Sequence, residues 1–371
     1  MILRAAVVCL LLGGVASAAP RRGVVELTSS RWSGDMIVTD VVVRGDDGSR
    51  ATFVEHGGSV SGIGMSVSHR TVPRAGDAVR WSFESSIESS IDGRTLTAVR
   101  PVAPTTTIAA TAVGIGVQRT SRSDKPLYHP TGCVNFELDA KGSAKVEGEW
   151  NAVDAAFAAW ESASAGMECG GVRFTTRIVQ DAPDGHDGVN TIHIRDTTWC
   201  RPGTVTDPEV CHSPEAVAVT RVLYVDEPSS PRDGEIIEVD IDVNAVGFTL
   251  ATDGRASAID LQSAATHEIG HALGLDHNCG VEDGAWPADR DGTPVPSCES
   301  VPPDLATATM YVQVTPGDTN MRTPKVSDTR GLCDAAGGTC EAEVTGGCSA
   351  GGGTSGLGFA LALLALRRRR G

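Results

Sequence analysis

The eleven residues from His267 to His277, "HEIGHALGLDH", decide how this sequence is interpreted. On a helix, His267 and His271 lie four positions apart, so their imidazoles project from one face, about one turn from each other. Two imidazoles at that separation can bind one metal ion. Glu268 follows the first histidine and is long enough to reach a water on that ion. A helix with two surface histidines also gives this HExxH pattern, so the pattern alone is a moderate signal.

Two further residues make a metal site the stronger interpretation. Gly274 comes three positions after His271, where a helix can end in the left-handed conformation that glycine adopts at little cost. The chain then turns back, and His277 approaches from outside the helix. A helix by itself requires neither residue. We therefore expect His267, His271 and His277 to bind one zinc ion and to leave a fourth coordination position open.

The composition excludes one class of partner. The chain has 371 residues, of which 40% are hydrophobic and 21% charged, as is typical of packed domains. Its formal net charge is −16. Sequence-independent binding to nucleic acid needs clustered Lys and Arg, so we expect no nucleic-acid partner. The sequence does not indicate an oligomeric state.

The start of the chain predicts export. Arg4 precedes an apolar run from Ala5 to Val15, and "ASA" at 16–18 is a small-residue cleavage site. Residues 1–19 are therefore interpreted as a secretory signal peptide. A membrane-spanning helix is the poorer interpretation, because the run is shorter than the roughly 20 residues that a bilayer requires.

The number and placement of the cysteines are those expected of an exported chain. Eight of the ten lie between residues 133 and 340, and an even number in one region of an exported chain predicts up to four disulfides. Eight cysteines allow on the order of a hundred connectivities. Proximity in the sequence favours the pairs Cys200–Cys211, Cys279–Cys298 and Cys333–Cys340, which leaves Cys133–Cys169.

The chain changes character along its length. Residues 20–100 alternate short β-rich runs with Gly and Asp turns, which predicts a small all-β domain. Residues 101–126 are interpreted as a linker. Residues 127–342 give the order strand, helix, four strands, helix, and the second helix (257–275) carries the histidines. This order predicts an α/β (α+β) domain with a sheet packed on helices.

Residues 127–342 resemble the metzincin zinc peptidases, in particular the matrixin-like branch, in which an aspartate precedes the third histidine as Asp276 does here. Besides the histidine stretch, the resemblance rests on "AAFAAW", "VNTIHIRD", "VDIDVN", "TMY" and "SDTRGLCDA". It implies a mixed twisted sheet packed on helices. The β-rich region weakly resembles the N-terminal β-domains that precede some secreted bacterial metallopeptidase domains.

The resemblance assigns roles to single residues. His267, His271 and His277 would be the zinc ligands, and Glu268 the general base that activates water. Met310, in "ATMYV", would lie in a Met-turn beneath the zinc. An ordinary core methionine is the alternative for that residue.

The resemblance also implies a peptide substrate. "AVAVT" (216–220) would be the edge strand above the cleft, where an extended peptide adds through backbone hydrogen bonds. Ala218 and Val219 would then bind substrate, and the chain would be a secreted endopeptidase acting on proteins or peptides. Two alternatives remain open. One is a surface adhesion protein with an inert metal domain, and the other is a β-domain that acts as a propeptide by packing over the cleft.

Some features depart from the matrixin pattern. Tyr311 follows Met310 directly, so it does not match the Met-x-Tyr pattern in which the tyrosine contacts zinc. Neither "AVAVT" nor "VDIDV" contains histidine, so we do not expect a second, structural zinc. No cysteine lies between residues 19 and 132, which excludes a cysteine that blocks the metal from the N-terminal domain. The acids of "DAPDGHDG" suit Ca²⁺, but a solvated Asp/Gly turn is the favoured interpretation of Asp181, Asp184 and Asp187.

The end of the chain predicts sorting. Residues 343–371 combine a Gly-rich spacer, the short apolar run "GLGFALALLAL" and four arginines. This tail resembles C-terminal sorting signals of the MYXO-CTERM type. We expect sorting machinery to remove the apolar part and to anchor the chain at the outer cell surface near Cys348. The alternative is a flexible Gly-rich end with a spare cysteine.

Overall fold

Short β-branched runs punctuated by glycine turns dominate the sequence, and strands dominate the structure accordingly. The computed structural model describes residues 21–68, 70, 72–81, 83–84, 95–96, 100–101, 115–167, 169–203, 209–281 and 286–335. In chain order the strands are β1 (Arg21–Ser33), β2 (Met36–Gly45), β3 (Arg50–His56), β4 (Gly58–Val60), β5 (Ile63–Val67), β6 (Ala78–Trp81), β7 (Phe83–Glu84), β8 (Thr95–Leu96), β9 (Arg100–Pro101), β10 (Cys133–Asp139), β11 (Arg173–Val179), β12 (Thr191–Arg195), β13 (Cys200–Arg201), β14 (Val210–Cys211), β15 (Ala218–Val225), β16 (Ile236–Asn244), β17 (Leu250–Ala251) and β18 (Ile259–Asp260). The helices are α1 (Glu149–Ser164), α2 (Leu261–Ala272), α3 (Pro303–Ala306) and α4 (Val326–Ala335), with 3-10 turns at Cys298–Ser300 and Asn320–Arg322.

Alternating apolar residues build the N-terminal sheet. Strands β1, β2 and β3 pair antiparallel, and the sheet has the order β3-β2-β1-β6-β9. Its buried cluster consists of Val25, Val41, Val43, Phe53 and Val79. In the described residues up to 101, all regular elements are strands.

A second sheet combines strands from both regions of the chain. Its order is β11-β10-β12-β16-β15-β5-β4. Strands β10, β11, β12 and β16 are parallel, whereas β15 is antiparallel to β16 on one side and to β5 on the other. The fold is therefore mixed α/β with large sheets. Strand β15 was expected at the edge, but it is an inner strand because β5 of the N-terminal region pairs with it.

Helices α1 and α2 pack against each other and against this sheet. Helix α1 buries one face, on which the large side chains of Val153, Phe157 and Trp160 lie at amphipathic spacing. The indole Nε1 of Trp160 donates to the backbone oxygen of Thr266 at 2.8 Å, which joins α1 to α2. Helix α2 starts after Asp260, whose carboxylate accepts from the Ser263 N–H at 2.8 Å.

The residues that follow position 114 lie against the C-terminal end of α2. Gln118 donates from Nε2 to the backbone oxygens of His271 at 2.9 Å and Leu275 at 3.0 Å. The Gly116 N–H donates to the backbone oxygen of His277 at 3.1 Å. Gly116 and Gln118 both belong to the predicted linker (101–126). Part of this segment therefore holds the turn that carries the third histidine.

Three disulfides join described cysteines. They are Cys169–Cys333, Cys200–Cys211 and Cys279–Cys298. The last two confirm predicted pairs, and Cys133 is also disulfide-bonded. The predicted pairs Cys133–Cys169 and Cys333–Cys340 are wrong, because the fold brings the chain after α1 next to α4, and Cys169 therefore meets Cys333.

The chain divides into two compact units, residues 1–340 and 341–371. The predicted signal peptide and the Gly-rich tail with Cys348 lie outside the described residues. Among the helices that the structure describes, none has the length and apolar character needed to cross a membrane.

Candidate metal centre

Helix α2 holds His267 and His271 inside the core. Every residue of this helix is buried except Gln262. Beyond the helix, Gly274 has a φ of 92°, a left-handed conformation, and the Leu275 N–H donates back to the oxygen of Gly270 at 3.0 Å. The helix therefore ends where the sequence predicted, and the chain turns back toward it.

The turn brings the third histidine to the other two. One ligating atom of each of the three histidines lies within 4.8 Å of the others. The ring centroids of His267 and His271 are 4.8 Å apart, and His277 lies 5.3 and 4.9 Å from them. The exposed fractions of the three residues are 6%, 1% and 3%. A buried group of three imidazoles can hold a metal ion, consistent with zinc.

Backbone carbonyls fix the tautomers of the two helical histidines. Nδ1 of His267 lies 2.7 Å from the oxygen of Thr309, and Nδ1 of His271 lies 2.9 Å from that of Leu275. A carbonyl oxygen only accepts, so each Nδ1 carries a proton and each Nε2 of a neutral ring presents a lone pair.

The two Nε2 atoms face each other at 3.1 Å. Two lone pairs at that distance repel each other unless both bind one cation. A tetrahedral zinc with Zn–N bonds of about 2.0–2.1 Å places two ligand nitrogens roughly 3.3 Å apart. The donor set therefore fits a zinc ion.

Glu268 is buried beside the histidines and accepts hydrogen bonds from two hydroxyls. Thr220 Oγ1 donates to Oε2 of Glu268 at 2.6 Å, and Ser68 Oγ donates to the same oxygen at 3.3 Å. Neither hydroxyl was assigned a role from the sequence. Thr220 ends the stretch "AVAVT", which pointed to it indirectly, but no sequence signal relates Ser68 to a glutamate 200 positions later.

Met310 lies beneath α2, in a turn that orients the first histidine. It is fully buried, and a Cβ on Gly270 would be 2.3 Å from its Sδ. The N–H groups of Thr309 and Met310 donate to the Asp328 carboxylate at 3.0 and 3.1 Å. Asp328, in "SDTRGLCDA", thus holds the turn whose carbonyl accepts from the first histidine, a role that no sequence pattern predicted.

The predicted substrate-binding residues lie at the start of β15. Ala218 and Val219 are buried, and both pair with β16. Further along, residues 221–225 of β15 pair with β5 on the opposite side. The structure therefore places these two residues within two positions of Thr220, whose hydroxyl binds Glu268.

An arginine side chain neutralises Asp184, one of the three acids that could suit Ca²⁺. Arg195 binds Asp184 through both terminal nitrogens, and its Nε donates to Asp242 at 2.7 Å. Burial opposes the charge of Arg195, but Asp242 and Asp184 outweigh burial and raise its pKa. Asp187 Oδ1 accepts from the Val189 N–H at 2.9 Å, as in an ordinary Asp turn.

The described residues offer one further cluster of potential ligands, Cys200, Glu209 and Cys211. Its two cysteines form a disulfide with each other, so their sulfurs are not available to a metal. The three histidines are therefore the metal-binding group that the described part of the chain supports.

Comparison with models of known protein families and with curated proteins finds no match for this chain.

Proposed function

We propose that the chain is an exported zinc endopeptidase of the matrixin-like type, which hydrolyses peptide bonds of extracellular proteins. The observation that carries the proposal is a buried glutamate, Glu268, placed beside three converging histidines. A structural zinc site is closed by four protein ligands, whereas the cluster found among the described residues has three histidines. A three-ligand site keeps a position open for chemistry.

The residues around the site have separate tasks in this proposal. When bound, zinc acidifies a water molecule and polarises a substrate carbonyl. Glu268 accepts the proton of the attacking water and passes it to the leaving amine. The Thr220 hydroxyl orients that carboxylate. The carbonyls of Thr309 and Leu275 orient the two helical histidines.

The substrate in this proposal is an extended peptide. Ala218 and Val219 precede Thr220 on β15, so a peptide laid along this strand passes the carboxylate of Glu268. Strand addition uses backbone hydrogen bonds that every peptide offers, and sugars and lipids lack them.

Export and surface attachment complete the proposal. Residues 1–19 would direct export, and the three described disulfides fit an oxidising compartment. Sorting machinery would then process the tail near Cys348.

The test compares the full wild-type chain with Glu268→Gln, which keeps an acceptor oxygen for Thr220. We expect about one zinc per chain in both proteins, measured by atomic absorption, and cleavage of a denatured protein by the wild type alone. His277→Ala should lose most of the zinc. A wild type without zinc, or equal cleavage by Glu268→Gln, would contradict the proposal. Zinc without cleavage in any chain would favour the adhesion alternative.

A further inference from the structure

We infer that the N-terminal domain inhibits this site from within the same chain. Strand β5 occupies the edge of β15 at residues 221–225, just after Ala218 and Val219, and Ser68 binds the glutamate that acts as the base. The occupant is thus a defined segment of the chain, residues 63–68, "IGMSVS". The inference rests on the proposed function, because it concerns the regulation of the same site.

Strand β5 is bound as an added peptide strand would be. It pairs antiparallel with residues 221–225 of β15. Beyond this ladder, the Ser68 N–H donates to the oxygen of Thr220 at 2.8 Å, and at the other end the Asp226 N–H donates to the oxygen of Gly62 at 2.8 Å. These are the backbone groups through which a peptide adds to a sheet edge, so a substrate must displace β5 to use them.

The Ser68 side chain connects strand β5 to Glu268, the proposed base. Its Oγ accepts from the Thr220 N–H at 2.8 Å and donates to Oε2 of Glu268 at 3.3 Å. The Ser68 hydroxyl therefore occupies an acceptor position of the carboxylate that would receive the proton of water. Ser68 is 7% exposed, so water does not replace it while β5 is bound. The N-terminal domain contains no cysteine that could block the metal, and in this inference a serine hydroxyl blocks the site instead.

An ionic contact between a partly exposed acid and two buried arginines anchors the same domain beside β15. Asp35, in the turn between β1 and β2, binds Arg201 at 2.7 Å and Arg221 at 3.2 Å. Both guanidinium side chains are 4% exposed. One apolar cluster also joins the two regions, and its members are Met36, Ile37, Met65, Val67, Trp199, Val219 and Leu223. The N-terminal domain therefore packs against the site through both ionic and apolar contacts.

Gly64 offers a way to separate β5 from β15 without altering the metal centre. A Cβ on Gly64 would be 2.2 Å from the ring of Tyr224. That ring is 1% exposed, and its hydroxyl lies 2.9 Å from Ser121 Oγ, so it has no room to move aside. A larger residue at this position must push the strand away.

The experiment uses the full zinc-loaded chain as wild type, Ser68→Ala, Gly64→Val and the matched control Ser66→Ala. Each is assayed for cleavage of a quenched-fluorescence peptide mixture, and hydrogen exchange of residues 63–68 reports whether β5 has been released. We expect Ser68→Ala to cleave roughly five-fold faster than wild type, the factor that one ordinary hydrogen bond contributes. Gly64→Val should be faster still, with raised exchange, and Ser66→Ala should match wild type.

The outcomes separate the inference from the proposed function. Wild type, Ser68→Ala and Gly64→Val cleaving at one rate would overturn the inhibition and leave the peptidase intact. Raised exchange in Gly64→Val with zinc retained and no cleavage would contradict the peptidase itself. If Gly64→Val fails to fold, Ser68→Ala decides, because it removes only a hydroxyl.

Discussion

Gly270 lies in the interior of α2, where a glycine costs about 1 kcal/mol relative to alanine. The structure shows what compensates for this cost. A Cβ at this position would be 2.3 Å from Met310 Sδ and 3.0 Å from the ring of Trp160, and both residues are fully buried. The missing side chain lets the Met310 turn lie against the helix, and the same turn presents the Thr309 carbonyl to His267. One glycine therefore sets the orientation of His267.

Gly270→Ala should test this contact. Because the core has no space for the added methyl, we expect the free energy of unfolding to fall by about 1–3 kcal/mol and zinc affinity to fall with it. Gly185→Ala is the control, since the atom nearest to an added Cβ there would be a carboxylate oxygen of Asp187 at 3.8 Å. Urea unfolding and competition with a zinc chelator measure the two effects. A variant more stable than wild type would show that helix propensity outweighs the contact.

At the scale of elements, strand β16 is more deeply buried than its sequence pattern predicts. "EVDIDV" alternates acidic and apolar residues, as a strand with one solvated face does. The structure buries both faces. The apolar face joins the core, and the acidic face meets guanidinium groups, with Asp240 bound by Arg221 of β15 and Asp242 by Arg195 of β12.

The difference between local and distant contacts explains what the sequence could predict. The order of the main elements, the left-handed turn at Gly274 and the convergence of the histidines follow from residues within a few turns of one another. The predicted helix began at residue 257, whereas α2 begins at Leu261, after the cap at Asp260. Other contacts join residues that are far apart in the chain, namely the hydrogen bond from Ser68 to Glu268 and the disulfide between Cys169 and Cys333. Periodicity and capping carry no signal for such pairs, and so the strand that covers β15 was missed.

The acidic face of β16 predicts a pH dependence. Glu238 accepts from the N–H groups of Asp187 and Gly188, and burial, followed by the nearby charge of Asp240, raises its pKa from the ordinary 4.5 to about 7. An acid whose pKa is raised by folding stabilises the folded state below its ordinary pKa, and this contribution is lost as the pH rises through about 7.

Glu238→Gln cannot ionise and keeps an acceptor oxygen. The difference in unfolding free energy between this variant and wild type should therefore move in favour of the variant by about 2 kcal/mol between about pH 5 and about pH 8. Urea unfolding at both values, with the disulfides intact, measures it. The same difference at both values would show that Glu238 does not titrate in this range.

At the scale of the whole molecule, the Cys169–Cys333 disulfide encloses the site. Its two cysteines are 164 positions apart, and the sheet strands from β11 onward, α2 and the Met310 turn all lie between them. A cross-link that closes a long loop removes more conformational freedom from the unfolded chain than one that closes a short loop. Cys200–Cys211, with a separation of 11, is the natural comparison.

Each disulfide can be removed by paired Cys→Ser substitution. The loss of unfolding free energy should be larger for the long-loop disulfide than for the short-loop one. Loop entropy predicts a loss of about 5 kcal/mol for Cys169→Ser with Cys333→Ser and about 3 kcal/mol for Cys200→Ser with Cys211→Ser. Both cysteines are replaced each time so that no free thiol remains to exchange with another disulfide. Urea unfolding of the two variants and wild type without reductant measures the losses. A larger loss from the short-loop pair would mean that native contacts around Cys200 and Cys211, beside the docked N-terminal domain, outweigh the entropy of the unfolded chain.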